Sequence, residues 1–230
     1  MRTMNIIIFG ATGMVGQGAL REALLDPAVT RVVTVGRSTT GQQHPKLREI
    51  VHANLFDLSL IAHQLTGLDG CLFCLGVSSA GMTEADYRRV THDLTLSVAQ
   101  TLVTRNPQMT FVYVSGAGTD SSERGGSMWA RVKGATENAL FKMPFKAAYM
   151  FRPGFIQPLH GIVSKTLLYR AIYVITKPIY PLLARFASNY ITTTEVVGKA
   201  MVRVVREGAS ERVIEQREIN GLGGGRQSTI

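Results

Sequence analysis

The chain switches repeatedly between short apolar runs and longer stretches in which apolar residues return every third or fourth position. Asn5-Ile6-Ile7-Ile8-Phe9 is the first run, and it stops at Gly10. A run this short, bounded by glycine, predicts a strand buried on both faces. Residues 14–25 then carry apolar side chains at helical spacing, and residues 31–35 are again short and apolar. Further strands are predicted over 49–53, 70–75, 110–114 and 146–151, with a closing strand over 212–219. Helices are predicted over 58–65, with Asp57 as its cap, over 84–105 through Val90, Leu94, Val98 and Leu102, over 128–141, and over 193–206. Asn106-Pro107 stops the second of these. Strands and helices in this alternation predict an α/β protein: a Rossmann-type doubly wound parallel sheet, with its ligand at the carboxyl edge of the strands.

The break after the first strand carries the most chemistry. Gly10, Gly13 and Gly16 lie three residues apart in Gly10-Ala11-Thr12-Gly13-Met14-Val15-Gly16. That spacing suits a tight turn with positive φ, a backbone that can approach a diphosphate, and a helix lying close on its strand. The amides opening the helix then face an anion, which makes Gly10, Thr12, Gly13, Met14, Val15 and Gly16 candidate dinucleotide contacts. After the second strand comes Gly36-Arg37-Ser38. A carboxylate there would accept from the ribose 2′-hydroxyl of NAD, whereas an arginine pairs with the 2′-phosphate of NADP. Arg37 and Ser38, with no acid beside them, therefore predict NADP(H) in preference to NAD(H). Asn54 and Leu55 follow the third strand, where an adenine would lie. Leu75, Gly76 and Val77 open a small-residue loop that lets a cofactor pass close to backbone.

Composition narrows the picture further. With 230 residues, 45% of them hydrophobic and 18% charged, the chain is long enough for one α/β domain with a sizeable core. Residues 1–220 are expected to form it, with 155–192 as an inserted lid or substrate segment and 221–230 as a flexible tail. The apolar run near the start runs into glycines and has no export signal pattern, which leads to the expectation of a cytoplasmic protein. Cys71 and Cys74 form a Cys-x-x-Cys inside an apolar strand, where residues three apart face opposite sides. They predict buried structural thiols, and no metal site is expected. His52 and His63 have no partner at ligand spacing. The formal charge of +9 attracts anions without naming one. No nucleic-acid motif accompanies it, so no nucleic-acid partner is expected.

The ordered set formed by the glycine loop, Cys74-Leu75-Gly76, the stretch from Ser115 to Lys133, and Phe151-Arg152-Pro153-Gly154 resembles the atypical branch of the short-chain dehydrogenase/reductase superfamily. Within it the likeness is to NmrA-like proteins and to the group of the HIV-Tat-interacting protein of 30 kDa. The resemblance implies a serine after the fifth strand and a Tyr-x-x-x-Lys on the next helix. There the lysine holds the nicotinamide ribose, and serine and tyrosine bind the reacting oxygen. Ser115 and Lys133 match those catalytic positions, Ser115 with a register one residue early, while Pro153 and Phe155 fall beside the cofactor. Trp129 stands where the tyrosine belongs, and an indole N–H cannot shuttle a proton. Two readings follow: an NADP(H)-dependent oxidoreductase on a small or lipophilic carbonyl-type substrate, or an NADPH-sensing binding protein.

From Asn138 to Thr194 the chain has no acidic residue. The apolar stretch 158–187 within it is interrupted by lysines and arginines, too often to span a bilayer. It reads as a substrate lid, as a peripheral membrane contact, or as a homodimer face. Tyr169, Tyr173, Tyr180 and Tyr190 could bring a phenol from there.

Overall fold

The computed structural model describes residues 3–163 and 191–224. Seven parallel strands form the main sheet: β1 (Met4–Phe9), β2 (Val29–Gly36), β3 (Leu47–Val51), β4 (Gly70–Phe73), β5 (Thr110–Val114), β6 (Ala147–Arg152) and β9 (Val213–Glu215). Their order is β3-β2-β1-β4-β5-β6-β9, so the chain reverses direction across the sheet between β1 and β4. β7 (Phe155–Gln157) and β8 (Ile191–Thr193) form a separate parallel pair.

The alternation inside β1 explains the two layers. Ile6 and Ile8 pack on one side with Leu20, Ala23, Leu72, Val112 and Met201. Ile7 and Phe9 pack on the other with Val33, Phe73, Val98, Leu102 and Phe111. Helices α1 (Met14–Leu25) and α5 (Thr194–Glu207) cover the first side. A 3-10 turn over Ser59–Gln64 and helix α3 (Leu94–Arg105) cover the second. Helix α4 (Met128–Phe141) follows β5, and α2 (Glu84–Arg88) precedes α3. Cys71 lies in the second layer and Cys74 packs against the first, so their thiols face away from each other. Burial pushes both thiols up, that of Cys74 to about 12. No helix among the described residues is long and apolar enough to cross a membrane.

Several predicted elements take a different form. The stretch 58–65 is a 3-10 turn, and Asp57 stands one place too early to cap it: its carboxylate accepts from the Ser59 amide at 2.9 Å. The helix expected over 84–105 is divided by a wide π turn over Arg89–Asp93, where the buried Thr95 hydroxyl donates to the Thr91 carbonyl. The third strand ends at Val51, two residues before its predicted end. The closing strand is only Val213–Glu215, because β6 offers it three partners, Met150 to Arg152. The chain then turns into α6 (Gln216–Leu222), whose Gln216 side chain accepts from the Gly154 amide at 2.7 Å. Gly221 and Leu222, read as tail, belong to that helix. Of the segment 158–187, only 158–163 lies within the described residues, and of the tail only 221–224.

Candidate active site at the carboxyl edge

Because all seven strands run the same way, the residues that follow β1, β2, β3, β4, β5 and β6 meet on one edge. The glycine turn sits at its centre, at the point where strand order reverses. Gly10 has φ +80°, and a Cβ there would stand 2.8 Å from the Cys74 carbonyl and the Leu75 amide. A Cβ on Gly16 would lie 2.0 Å from the Gly10 carbonyl oxygen, so this glycine lets α1 rest on the turn. Gly13 has room for a Cβ only at 3.3 Å from the same oxygen. Helix α1 has Gly13 at its N-cap, with no side-chain cap and no acid in its first turn. Its opening amides are thus left for an outside acceptor, with the positive end of the helix dipole behind them. Thr12, Met14 and Val15 are partly exposed around this turn. The uncapped amides and the absence of an acid in the first turn suit a diphosphate by charge.

The flanking positions fall on the same edge. Arg37 and Ser38 are exposed at the end of β2. Asn54 and Leu55 come just after β3, and the Asn54 side chain accepts from the Phe56 amide at 3.1 Å while Leu55 is buried. Leu75, Gly76 and Val77 follow β4 with growing exposure, and a Cβ at Gly76 would meet nothing within 4 Å.

Beyond β5 the arrangement departs from a working serine-tyrosine pair. Ser115 is buried, and its hydroxyl donates to the Phe151 carbonyl of β6 at 3.1 Å, which makes it a brace between strands. Gly116, next in the chain, has φ +130° and open space beside it. The Trp129 indole edge lies over Gly118, where a Cβ would be 3.6 Å from it. One turn later, the half-buried Lys133 donates to the Val114 carbonyl at 3.2 Å and lies 5.5 Å from the centre of the Tyr113 ring. Burial brings its ammonium down to about 8, and the negative charge of Glu137 works against that fall. The described tyrosines, Tyr87, Tyr113 and Tyr149, are all buried, and burial pushes the first two phenols up. Tyr169, Tyr173, Tyr180 and Tyr190 lie outside the described residues.

Pro153 is buried after β6, and its carbonyl accepts from the Ala117 amide at 2.9 Å; Phe155 is partly exposed. Sequence reasoning passed over what lies beneath this end of the edge. Glu137, with no exposed surface, forms a two-point ion pair with Arg152. An acid four residues after Lys133 on the inner face of a helix, and an arginine closing an apolar strand, were the available signals.

A doubly wound parallel sheet with a glycine turn at its switch point and uncapped helix amides above it defines a dinucleotide-binding fold, and the family match and relatives place it in the atypical branch of the short-chain dehydrogenase/reductase superfamily. The family described as "NAD dependent epimerase/dehydratase family" matches residues 6–123, and the chain belongs to it. Among curated relatives, the chain is 30% identical over 162 residues to "Protein fmp52, mitochondrial" of Emericella nidulans, covering 66% of each chain. It is 26% identical over 155 residues to "Protein FMP52, mitochondrial" of Candida albicans, again over 66% of each. Among solved structures, the Bordetella bronchiseptica enzyme WbmF in complex with NAD+ is similar at a TM-score of 0.68 and 15% identity, over 99% of this chain and 80% of that one. A UDP-N-acetylglucosamine 4-epimerase from Methanobrevibacter ruminantium is similar at 0.67 and 17%, over 94% and 76%. These structures share the fold.

The relatives also correct one expectation. The absence of an export pattern bears on secretion and not on organelles, so it could not support a cytoplasmic site, and the curated relatives are named mitochondrial.

Proposed function

We propose that the chain binds NADP(H) in preference to NAD(H) at this edge and works as an oxidoreductase on a small or lipophilic carbonyl-type substrate. Arg37 carries the cofactor part of the reading. It is exposed at the end of β2, makes no hydrogen bond or ion pair with a described residue, and is followed by Ser38, Thr39 and Thr40 with no acid in the run; the Glu49 carboxylate that reaches this loop from β3 accepts from the Thr40 amide at 2.7 Å and from its hydroxyl. In this reading the diphosphate rests on Gly10 to Gly16, the adenine lies by Asn54 and Leu55, and the chain passes over Leu75, Gly76 and Val77. Lys133 holds the nicotinamide ribose, with Pro153 and Phe155 beside the ring. The cofactor supplies or accepts the hydride; the protein orients it and screens it from water.

Titration of the protein and of Arg37→Ala with both cofactors tests this. A charge-assisted bidentate contact is worth roughly tenfold to a hundredfold in affinity. NADPH is expected to bind more tightly than NADH by that margin, and Arg37→Ala to remove most of the difference while NADH binding holds. Equal affinities in the unmutated protein overturn the preference.

Trp129 favours a second reading, that of an NmrA-like sensor whose partner affinity changes with NADPH occupancy. A retained cofactor edge with no exposed phenol among the described residues is what such a protein needs. Partner recovery from a pull-down that is equal with and without NADPH would overturn it.

A further inference from the structure

Glu137 is the most deeply buried carboxylate near the edge, and it is built into a chain of alternating charges. It sits on α4 one helical turn after Lys133. Its Oε1 accepts from Arg152 Nε at 3.1 Å, and its Oε2 pairs with Arg152 Nη2. Arg152 closes β6 immediately before Pro153, and only 11% of its side chain is exposed. It reaches two more pieces of the site: the Ser121 hydroxyl at 2.5 Å, in the loop after β5, and the Glu215 carboxylate at 3.3 Å, on β9. Charges therefore alternate from Lys133 to Glu137, Arg152 and Glu215, running from the half-buried edge to the exposed end of β9.

A buried ion pair is seldom a net source of stability, because desolvating both ions costs about what their attraction returns. Hydrophobic residues would cover the space between α4 and β6 as well. What they would not supply is a negative charge fixed one turn from an ammonium. Among the described residues, Glu137 is the charged group that bears on Lys133; Tyr113 of β5 and Tyr87 of α2 are held neutral by burial.

We propose that Glu137 is a positioning residue for Lys133: its carboxylate sets the electrostatic field one helical turn from the ammonium, and the two-point pair with Arg152 fixes that carboxylate and locks α4 to the end of β6. The proposal rests on the reading that Lys133 holds the cofactor ribose. It adds that the alkaline limit of cofactor binding, which burial of Lys133 lowers, is held up by a carboxylate outside the cofactor contacts.

The test is the dissociation constant of NADPH between pH 7 and 10, measured by fluorescence on the full chain. Binding is expected to weaken as Lys133 loses its proton, giving an alkaline midpoint. Glu137→Gln keeps the shape and removes the charge, and is expected to move that midpoint down by roughly one pH unit, the usual effect of an opposite charge close by. Lys133→Arg stays charged throughout and is expected to abolish the alkaline arm. If Glu137→Gln does not fold, Glu215→Gln carries the test from the exposed end of the chain, with a smaller downward shift expected. An unmoved midpoint in a folded Glu137→Gln, or in Glu215→Gln where that variant stands in, overturns the proposal. An alkaline arm that survives Lys133→Arg overturns instead the assignment of Lys133 to the ribose. A protein whose pair were merely structural would lose thermal stability and keep its midpoint.

Discussion

Trp129 and Lys133 face the same way on α4, one turn apart, and only one of them can change its charge near neutral pH. The indole lies over Gly118, at the position where the resemblance to short-chain dehydrogenases implies a phenol. Trp129→Tyr is therefore expected to raise carbonyl-dependent NADPH oxidation by at least tenfold, since a positioned general acid is worth about 10² to 10⁴ in rate. Absorbance at the reduced-nicotinamide band over a panel of aldehydes and ketones checks it. A folded variant no faster than the unmutated protein would show that the missing phenol is not what limits the site. Lys133 and Trp129 were visible in sequence because a four-residue spacing on a helix is a local property. Ser115 was visible as a residue but not as a contact: that its hydroxyl turns to Phe151 depends on which strand lies next to β5, and only the sheet decides that.

The glycine turn joins an element to an element, and its three glycines serve separate ends. Gly16 answers to packing, since a Cβ would enter the Gly10 carbonyl. Gly16→Ala is expected to lower stability by roughly 3 kcal/mol or more, because the obstacle is backbone and cannot swing aside. Gly13 has an ordinary φ of −83° and looser surroundings. Gly13→Ala is expected to leave the melting temperature within a few degrees and to weaken cofactor binding severalfold, because the added methyl stands at the uncapped helix start. Thermal unfolding and cofactor titration on the two variants separate these roles. At this scale the sequence was read well where a pattern repeats and poorly where a partner sets the length. β1, α1, β5 and α4 follow from apolar spacing. The end of β9 and the start of α6 do not, because Val213 to Glu215 is a strand only as far as β6 extends beside it. The π turn at Arg89–Asp93 was likewise hidden, since its residues fit an ordinary helical face.

Across the whole molecule, the part beyond β6 is tied to α5 by a small charged cluster. Glu195, in the first turn of α5, is held down at about 2 by Lys199, one turn further along the helix, and by His160, whose Nε2 lies 2.6 Å from it. A carboxyl held below its ordinary value of 4.5 stabilises the fold fully above that value, and the contribution fades as pH falls from 4.5 through about 2. Glu195→Gln is expected to melt a few degrees below the unmutated protein at pH 6 and to match it at pH 2. The gap should be modest, because the cluster is partly open to water. Calorimetry at the two pH values checks the sign, and a gap that widens toward acid would contradict it.

The packing of α1 against α5 has a kinetic side. Gly18 of α1 meets Thr194, Gly198 meets the Gly18 carbonyl, and Arg206 pairs with Asp26 across 180 positions of chain. The helix that carries the nucleotide turn is thus covered by one that leaves the ribosome much later. Loop closure over such a distance is slow compared with pairing β1 to β2. The topology thus predicts a turn whose supporting helix docks late, so that dinucleotide binding is expected to appear only once the far end of the chain has packed.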